Sequence, residues 1–167
     1  MEKVFIVDEN DKEIGLKPRA EMKQNDIYRA SALWIENSRG EVLLAQRKFD
    51  KIINPGKWGP AAAGTLEEGE TYDSNIYKET AEEIGLEGKV FEKIKKIRYK
   101  GKHNFFGQWY YLVIDEDSDY FKIQESEVEK IQWIDKVELG EDIKENPSKF
   151  IDTMSENYAL FKNIKIK

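Results

Sequence analysis

Between Gly64 and Leu86 the chain sets Glu67, Glu68, Glu70, Asp73, Glu79, Glu82 and Glu83. Carboxylates can take a proton from water or hold a hard divalent cation, and a cluster of them can do both. Their intervals are the informative part. On a helix, at about 100° per residue, Glu79, Glu82 and Glu83 share one face, because positions three and four apart are neighbours. Ile76, Thr80 and Ile84 form a separate stripe, centred about 100° away, that suits a core. Like charges at such spacing repel by about 0.2–0.5 kcal/mol per exposed pair, and by more where water is excluded. A bound cation offsets that repulsion. Mg²⁺ prefers oxygen ligands, keeps several waters and commonly shares carboxylates with the phosphate oxygens of a substrate. Without a cation the same face is a solvated acidic surface.

The elements that must position these residues are legible around them. Residues 72–84 read as a helix stopped by Gly85. Residues 4–8 and 13–17 flank the turn-like Glu9-Asn10-Asp11-Lys12 and predict a hairpin. Residues 28–36 and 41–48 are strand-like and joined by Asn37-Ser38-Arg39-Gly40. Further strands are predicted at 58–63, 90–100, 108–115 and 128–134. A last helix over residues 146–162 is predicted to start at Asn146-Pro147, with Asn146 as cap and Phe150, Met154, Tyr158 and Phe161 on one apolar face. Strands interspersed with two helices predict an α/β (α+β) fold, a mixed sheet with helices packed on its faces. Trp58, Trp109 and Trp133 are expected in the core, and so is Trp34, unless it is exposed to stack a base.

Composition narrows the function classes. At 167 residues, without repeats or a linker-like stretch, the chain is expected to be a single domain spanning residues 1–167. Its 12% aromatic content argues against disorder despite 36% charged residues. A net charge of −6 disfavours a nucleic-acid polymer or an acidic membrane as partner. The absence of cysteine removes disulfides, thiolate metal sites and a cysteine nucleophile. The N-terminal stretch lacks a leader pattern and no segment is apolar enough to span a bilayer, so a cytoplasmic protein is expected.

Gly64, five residues, Glu70, seven residues, Lys78-Glu79, then Glu82-Glu83 and Gly85-Leu86, resembles the Nudix box of the Nudix hydrolases. Two positions depart from the family pattern: Lys78 stands where the family has arginine, and Thr80 where it has an apolar residue. Lysine keeps the charge but loses the bidentate fork. The resemblance implies a Nudix-type α/β/α sandwich with residues 64–86 as the box and residues 1–27 as an N-terminal hairpin extension. It implies Glu79, Glu82, Glu83 and the Gly64 carbonyl as ligands of Mg²⁺ or Mn²⁺, with Glu70 and Lys78 orienting the site. The general base would be one of the box carboxylates or a glutamate of a later loop, where Glu125, Glu127 and Glu129 offer themselves and Glu127 is the first choice. The implied reaction is hydrolysis of a small diphosphate, such as a nucleoside diphosphate derivative.

The similarity extends outside the box. The leading hairpin, Arg19-Ala20-Glu21 and the strand ending in Gln46-Arg47 resemble the Nudix subgroup related to isopentenyl diphosphate isomerase. Those isomerases need a cysteine in the stretch that here reads Ala61-Ala62-Ala63, so the resemblance implies a hydrolase. The alternatives are a non-catalytic nucleotide-sensing module, disfavoured by the intact glutamate triad, and the isomerase itself. Arg47, Arg98 and Lys100 are candidate substrate contacts. Arg98, Lys100 and Lys102 alternate as residues on one strand face do, although a cationic edge that resists aggregation has the same pattern. His103, the only histidine, reads as a loop residue. Many members of the family are dimers, so a homodimer is compatible with the resemblance.

Overall fold

The computed structural model describes residues 2–164. The strands are β1 (Lys3–Val7), β2 (Glu13–Pro18), β3 (Tyr28–Glu36), β4 (Glu41–Arg47), β5 (Trp58–Pro60), β6 (Ala62–Thr65), β7 (Glu92–Tyr99), β8 (Phe105–Val113) and β9 (Val128–Asp135). The helices are α1 (Tyr72–Ile84), α2 (Lys136–Glu145) and α3 (Met154–Phe161).

The strand β3 organises the molecule, because its two ends keep different company. Residues 30–33 pair antiparallel with β6, and the whole strand pairs parallel with β8 on its other side. Ile35 and Glu36 instead pair with β4, which carries β5 and β9 as its own partners. The result is a mixed seven-stranded sheet with β7 beyond β8. Side chains alternate between the faces of a strand, and here both faces are apolar. Leu33, Ile35, Leu43 and Tyr110 pack with Ile76 and Ile84 of α1 on one face. Trp34, Val42, Leu44, Trp109 and Tyr111 pack with Leu139, Ile143, Met154 and Phe161 of α2 and α3 on the other. The α/β/α layering expected from the resemblance is present, and all four tryptophans pack in or against these clusters.

The structure corrects two expectations. The strand expected at 58–63 is two strands, β5 and β6, which separate at Ala61 to join different neighbours. The helix expected over 146–162 is much shorter. Residues 147–149 form a 3-10 turn, Phe150 is extended and bridges Trp58, and α3 begins only at Met154. Asn146 ends α2 rather than capping a new helix, with its Nδ2 donating to Asp142 at 2.8 Å. There are three α-helices among the described residues, not two, because α2 precedes that turn. Its Asp135 cap accepts from the amides of Val137 and Glu138. Gly140 in its middle lowers helix propensity but leaves room for Tyr158, whose hydroxyl would stand 2.4 Å from any Cβ there.

The hairpin β1–β2 lies against the segments that hold the box. Glu68 donates its amide to the Lys3 carbonyl at 2.8 Å, and Val7 to Ile27 at 2.9 Å. At its tip Asp11, in the left-handed region at φ 61°, accepts from Arg29 at 2.8 Å, Lys96 at 2.6 Å and the Tyr72 hydroxyl at 2.9 Å. Tyr72 is the first residue of α1, so the tip is fixed to the start of the box helix.

Candidate metal centre

The helix α1 starts at a capping box: the Thr71 side chain accepts from the Ser74 amide while Ser74 returns a bond to Thr71. It stops at Gly85, left-handed at φ 66°, as the sequence predicts. Asn75, Ile76, Thr80 and Ile84 are its buried residues, which turns the glutamate face toward the edge formed by β6. Gly64 lies on β6 opposite Ser31. A Cβ added there would stand 2.4 Å from Cδ of Glu79, so glycine is what lets this carboxylate lie against the backbone. One turn on, Glu83 Oε1 accepts the Ala63 amide at 3.1 Å. The backbone of β6 and two box glutamates therefore share one surface. Gly64→Ala is expected to push Glu79 aside, because the colliding group is the end of a flexible side chain. Calorimetry should show Mg²⁺ binding weakened at least about tenfold, with stability changed by under about 1 kcal/mol. Unchanged Mg²⁺ affinity would separate Glu79 from the centre.

Beside them Lys78 Nζ is 2.8 Å from Glu70 Oε2 and 3.6 Å from Glu79 Oε1. The Glu67 amide donates to Glu70 Oε1 at 2.7 Å, and Asn75 Nδ2 approaches the same oxygen at 3.3 Å. Burial opposes ionisation of Glu70, but Lys78, the Glu67 amide and Asn75 outweigh it and hold the carboxyl below its ordinary range. The other two carboxyls go the opposite way. Burial pushes Glu79 up to about 7; Lys78 pulls against it, while Glu82 and Glu70 add to the rise. Burial pushes Glu83 up to about 8, with the charges of Glu79 and Glu127 adding to it and the Ala63 amide and Arg47 opposing. Half-buried carboxylates with too little positive charge nearby are what a hard cation would satisfy.

The remaining candidates are distributed unevenly. Glu82 is exposed on the solvent side of the same helix face. The segment carrying Glu127 is tied to the end of α1 by the Gln124 amide, which donates to the Glu83 carbonyl at 2.9 Å. Glu127 itself is paired with Lys51, and Glu129 with Lys48 at 3.0 Å. Glu125 is exposed. Arg47, at the end of β4, donates Nε to the Ile53 carbonyl at 3.0 Å and acts on Glu83 electrostatically. Arg98 points elsewhere, to Glu9 on the hairpin through bonds of 2.9 and 3.0 Å. Lys100 is exposed just beyond β7, Lys102 stands 4.0 Å from Asp152, and His103 lies in the loop with its Nε2 buried and unpartnered. Arg47 thus stands with the glutamates, whereas Arg98 is held by the hairpin.

Sequence reasoning passed over Asn75, Ser31, the Ala63 amide and Lys51. The wheel that gathers the glutamates also carries Asn75, four residues before Glu79 and a poor helix former. Nothing local points to the other three.

The donor set suits Mg²⁺ or Mn²⁺: only oxygens, with two carboxylates at a backbone edge where a glycine leaves room for Glu79. Among the described residues no three acidic or histidine side chains converge as a finished cage. Glu79, Glu82 and Glu83 would have to draw closer than they stand here to share one ion, with waters and substrate oxygens completing its shell.

Comparison with known proteins identifies the family. A family model described as the NUDIX domain matches residues 27–154. A protein named an uncharacterised Nudix hydrolase in Pseudomonas aeruginosa is 33% identical over 93 residues, 55% of this chain and 55% of that one. An isopentenyl-diphosphate Delta-isomerase of Photorhabdus laumondii is 31% identical over 110 residues, 64% of this chain and 62% of that one. The chain therefore spans about half the length of the first relative and under two thirds of the second. The crystal structure of a Deinococcus radiodurans protein superimposes with a TM-score of 0.83 at 18% identity, covering 94% of this chain and 97% of that one. At such identity the likeness is one of fold.

Proposed function

The chain belongs to the Nudix family, and on that premise we propose that it is a divalent-metal-dependent hydrolase of small diphosphates, including nucleoside diphosphate derivatives. One observation carries the reading. Glu79 and Glu83 are held against the Ala63–Gly64 backbone with their carboxyls shifted toward neutrality, an arrangement that costs stability unless a cation uses it.

Glu79, Glu82, Glu83 and the Gly64 carbonyl would hold Mg²⁺ or Mn²⁺. When bound, the ion would neutralise the diphosphate and lower the pKa of a coordinated water. Glu70, fixed on Lys78, keeps Lys78 beside Glu79 and so orients that ligand. Arg47 is the cation best placed to meet a phosphate, since it already acts on Glu83. Arg98 would first have to release Glu9, and Lys100 lies beside that pair. Glu83 and Glu127 are the two carboxylates suited to take the proton of the attacking water, and Glu127 would have to part from Lys51 to do so. Without cysteine the chain lacks the residue the related isomerases need. Among the described residues no helix is long and apolar enough to cross a membrane.

The test is a panel of nucleoside triphosphates, nucleotide sugars, ADP-ribose, dinucleoside polyphosphates, coenzyme A and isoprenoid diphosphates, each with and without Mg²⁺. The expected result is metal-dependent cleavage of at least one diphosphate linkage. Saturable binding without turnover would replace this reading with a sensing module, and allylic rearrangement would replace it with an isomerase.

A further inference from the structure

We propose that Asn75, held by Ser31, is a positioning residue for Glu70 that supplies the second donor an arginine at position 78 would have given. The inference rests on the hydrolase reading of the site and adds a residue to its support.

Asn75 is wholly buried, and so is Ser31, which lies on β3. Asparagine, at the fourth position of α1, is a weaker helix former than alanine, and a buried amide must have its bonds made. Asn75 makes three. Its Oδ1 accepts from the Ser31 hydroxyl, and its Nδ2 donates to the Thr65 carbonyl at 3.2 Å and to Glu70 Oε1 at 3.3 Å. The Thr65 carbonyl and the Glu70 carboxylate can only accept, so they fix the amide nitrogen toward themselves and leave Oδ1 to take the Ser31 hydroxyl. One side chain ties β3, the residue after Gly64 on β6, and Glu70.

The reason lies at Lys78. A guanidinium presents several N–H groups in a fixed fork, whereas an ammonium is a point charge. Lys78 stands 2.8 Å from Glu70 and only 3.6 Å from Glu79, so one point charge is divided unequally between two carboxylates. Lys78 meets Oε2 of Glu70 and leaves Oε1 to the Glu67 amide and Asn75. With Asn75 bracing Oε1, Glu70 keeps its orientation although Lys78 cannot grip it at two points.

The test is a double-mutant cycle between Asn75→Ala and Lys78→Arg. In the natural background Asn75→Ala is expected to lower kcat about 10-fold, with KM changed less than about twofold, because the substrate does not touch Asn75. In the Lys78→Arg background the same substitution should cost less than about threefold, since the fork replaces the lost donor. Any loss of thermal stability should be alike in both backgrounds. A residue that merely fills the core would give equal losses of kcat in the two backgrounds, and that additivity would overturn the proposal. Ser31→Ala gives a milder variant should Asn75→Ala not fold: kcat should fall about threefold and recover with Lys78→Arg, and an unchanged kcat would count against the proposal. A readout free of turnover separates this inference from the hydrolase reading. The Glu67 amide, bonded to Glu70, should exchange hydrogen at least about 10-fold faster in Asn75→Ala and regain protection with Lys78→Arg. Unchanged protection would overturn the inference even in an active enzyme. Restored protection would support it even if no diphosphate is cleaved.

Discussion

Removal of divalent ions with EDTA is expected to abolish diphosphate hydrolysis while leaving the helix and strand content of the protein intact. The two effects separate because the proposed ligands and the core stripe of α1 are different residues. Ile76, Thr80 and Ile84 are fully buried whatever occupies the glutamate face. Thr80, the departure from an apolar residue, satisfies its own hydroxyl by donating to the Ile76 carbonyl at 2.6 Å. Catalysis has no such independence. With Glu79 and Glu83 shifted toward neutrality by burial, the ion-free site gives a diphosphate no positive counterpart beyond Arg47 and its lysine neighbours. Added Mg²⁺ should restore turnover and raise the thermal midpoint, because binding to the native form stabilises it by about 2.7 kcal/mol at a hundred times Kd. Circular dichroism and an activity assay with a Mg²⁺ titration make the comparison. Full hydrolysis in excess chelator would remove the metal from the reading.

The part of this arrangement legible in the sequence is the part fixed by short-range rules. Apolar residues on both faces of a strand, as in Leu33-Trp34-Ile35, read directly as a buried strand. The box helix is bounded where its glycine predicts, and its glutamates and core residues fall on the faces a wheel assigns. What escaped depends on partners distant in sequence. Gly140 weakens the local case for α2, and its reason is the ring of Tyr158. Residues 146–153 carry helix-start signals, yet Phe150 leaves the helical path because the edge strand β5 offers a bridge at Trp58. The site shows the same division. Glu70 lies just before α1 and Lys78 in its second turn, so their pairing is short-range, and the box resemblance implies that both orient the site. Asn75 is bonded to Ser31, 44 residues before it, and Arg98 to Glu9, 89 residues before it, pairings that no local rule gives.

Glu83→Gln and Glu82→Gln are expected to lower turnover at least about 100-fold each, or about 2.7 kcal/mol of transition-state stabilisation, yet to differ in what they do to the ion-free fold. Glutamine keeps the size of glutamate and removes one negative charge. At position 83 that charge is half-buried, pushed toward neutrality by its surroundings and crowded by Glu79 and Glu127. The Ala63 amide can donate to the glutamine oxygen as it does to Oε1, so no bond need be lost. Glu83→Gln should therefore stabilise the ion-free protein, by about 1 kcal/mol, through relief of repulsion and desolvation. Glu82 is exposed, and its replacement should change ion-free stability by less than about 0.5 kcal/mol. Both variants should lose part of the stabilisation that Mg²⁺ gives the natural protein, since that gain depends on affinity for the folded site. Glu87→Gln, exposed just beyond the box, is the control and should change none of these quantities. Thermal melts with and without Mg²⁺, beside single-substrate kinetics, read all of these effects. A helix whose glutamates are only a solvated surface would give three variants alike, each with near-normal turnover and an unaltered response to Mg²⁺. A site built around a cation trades ion-free stability at Glu83 for affinity, and the opposite movement of stability and turnover in that one variant is its signature.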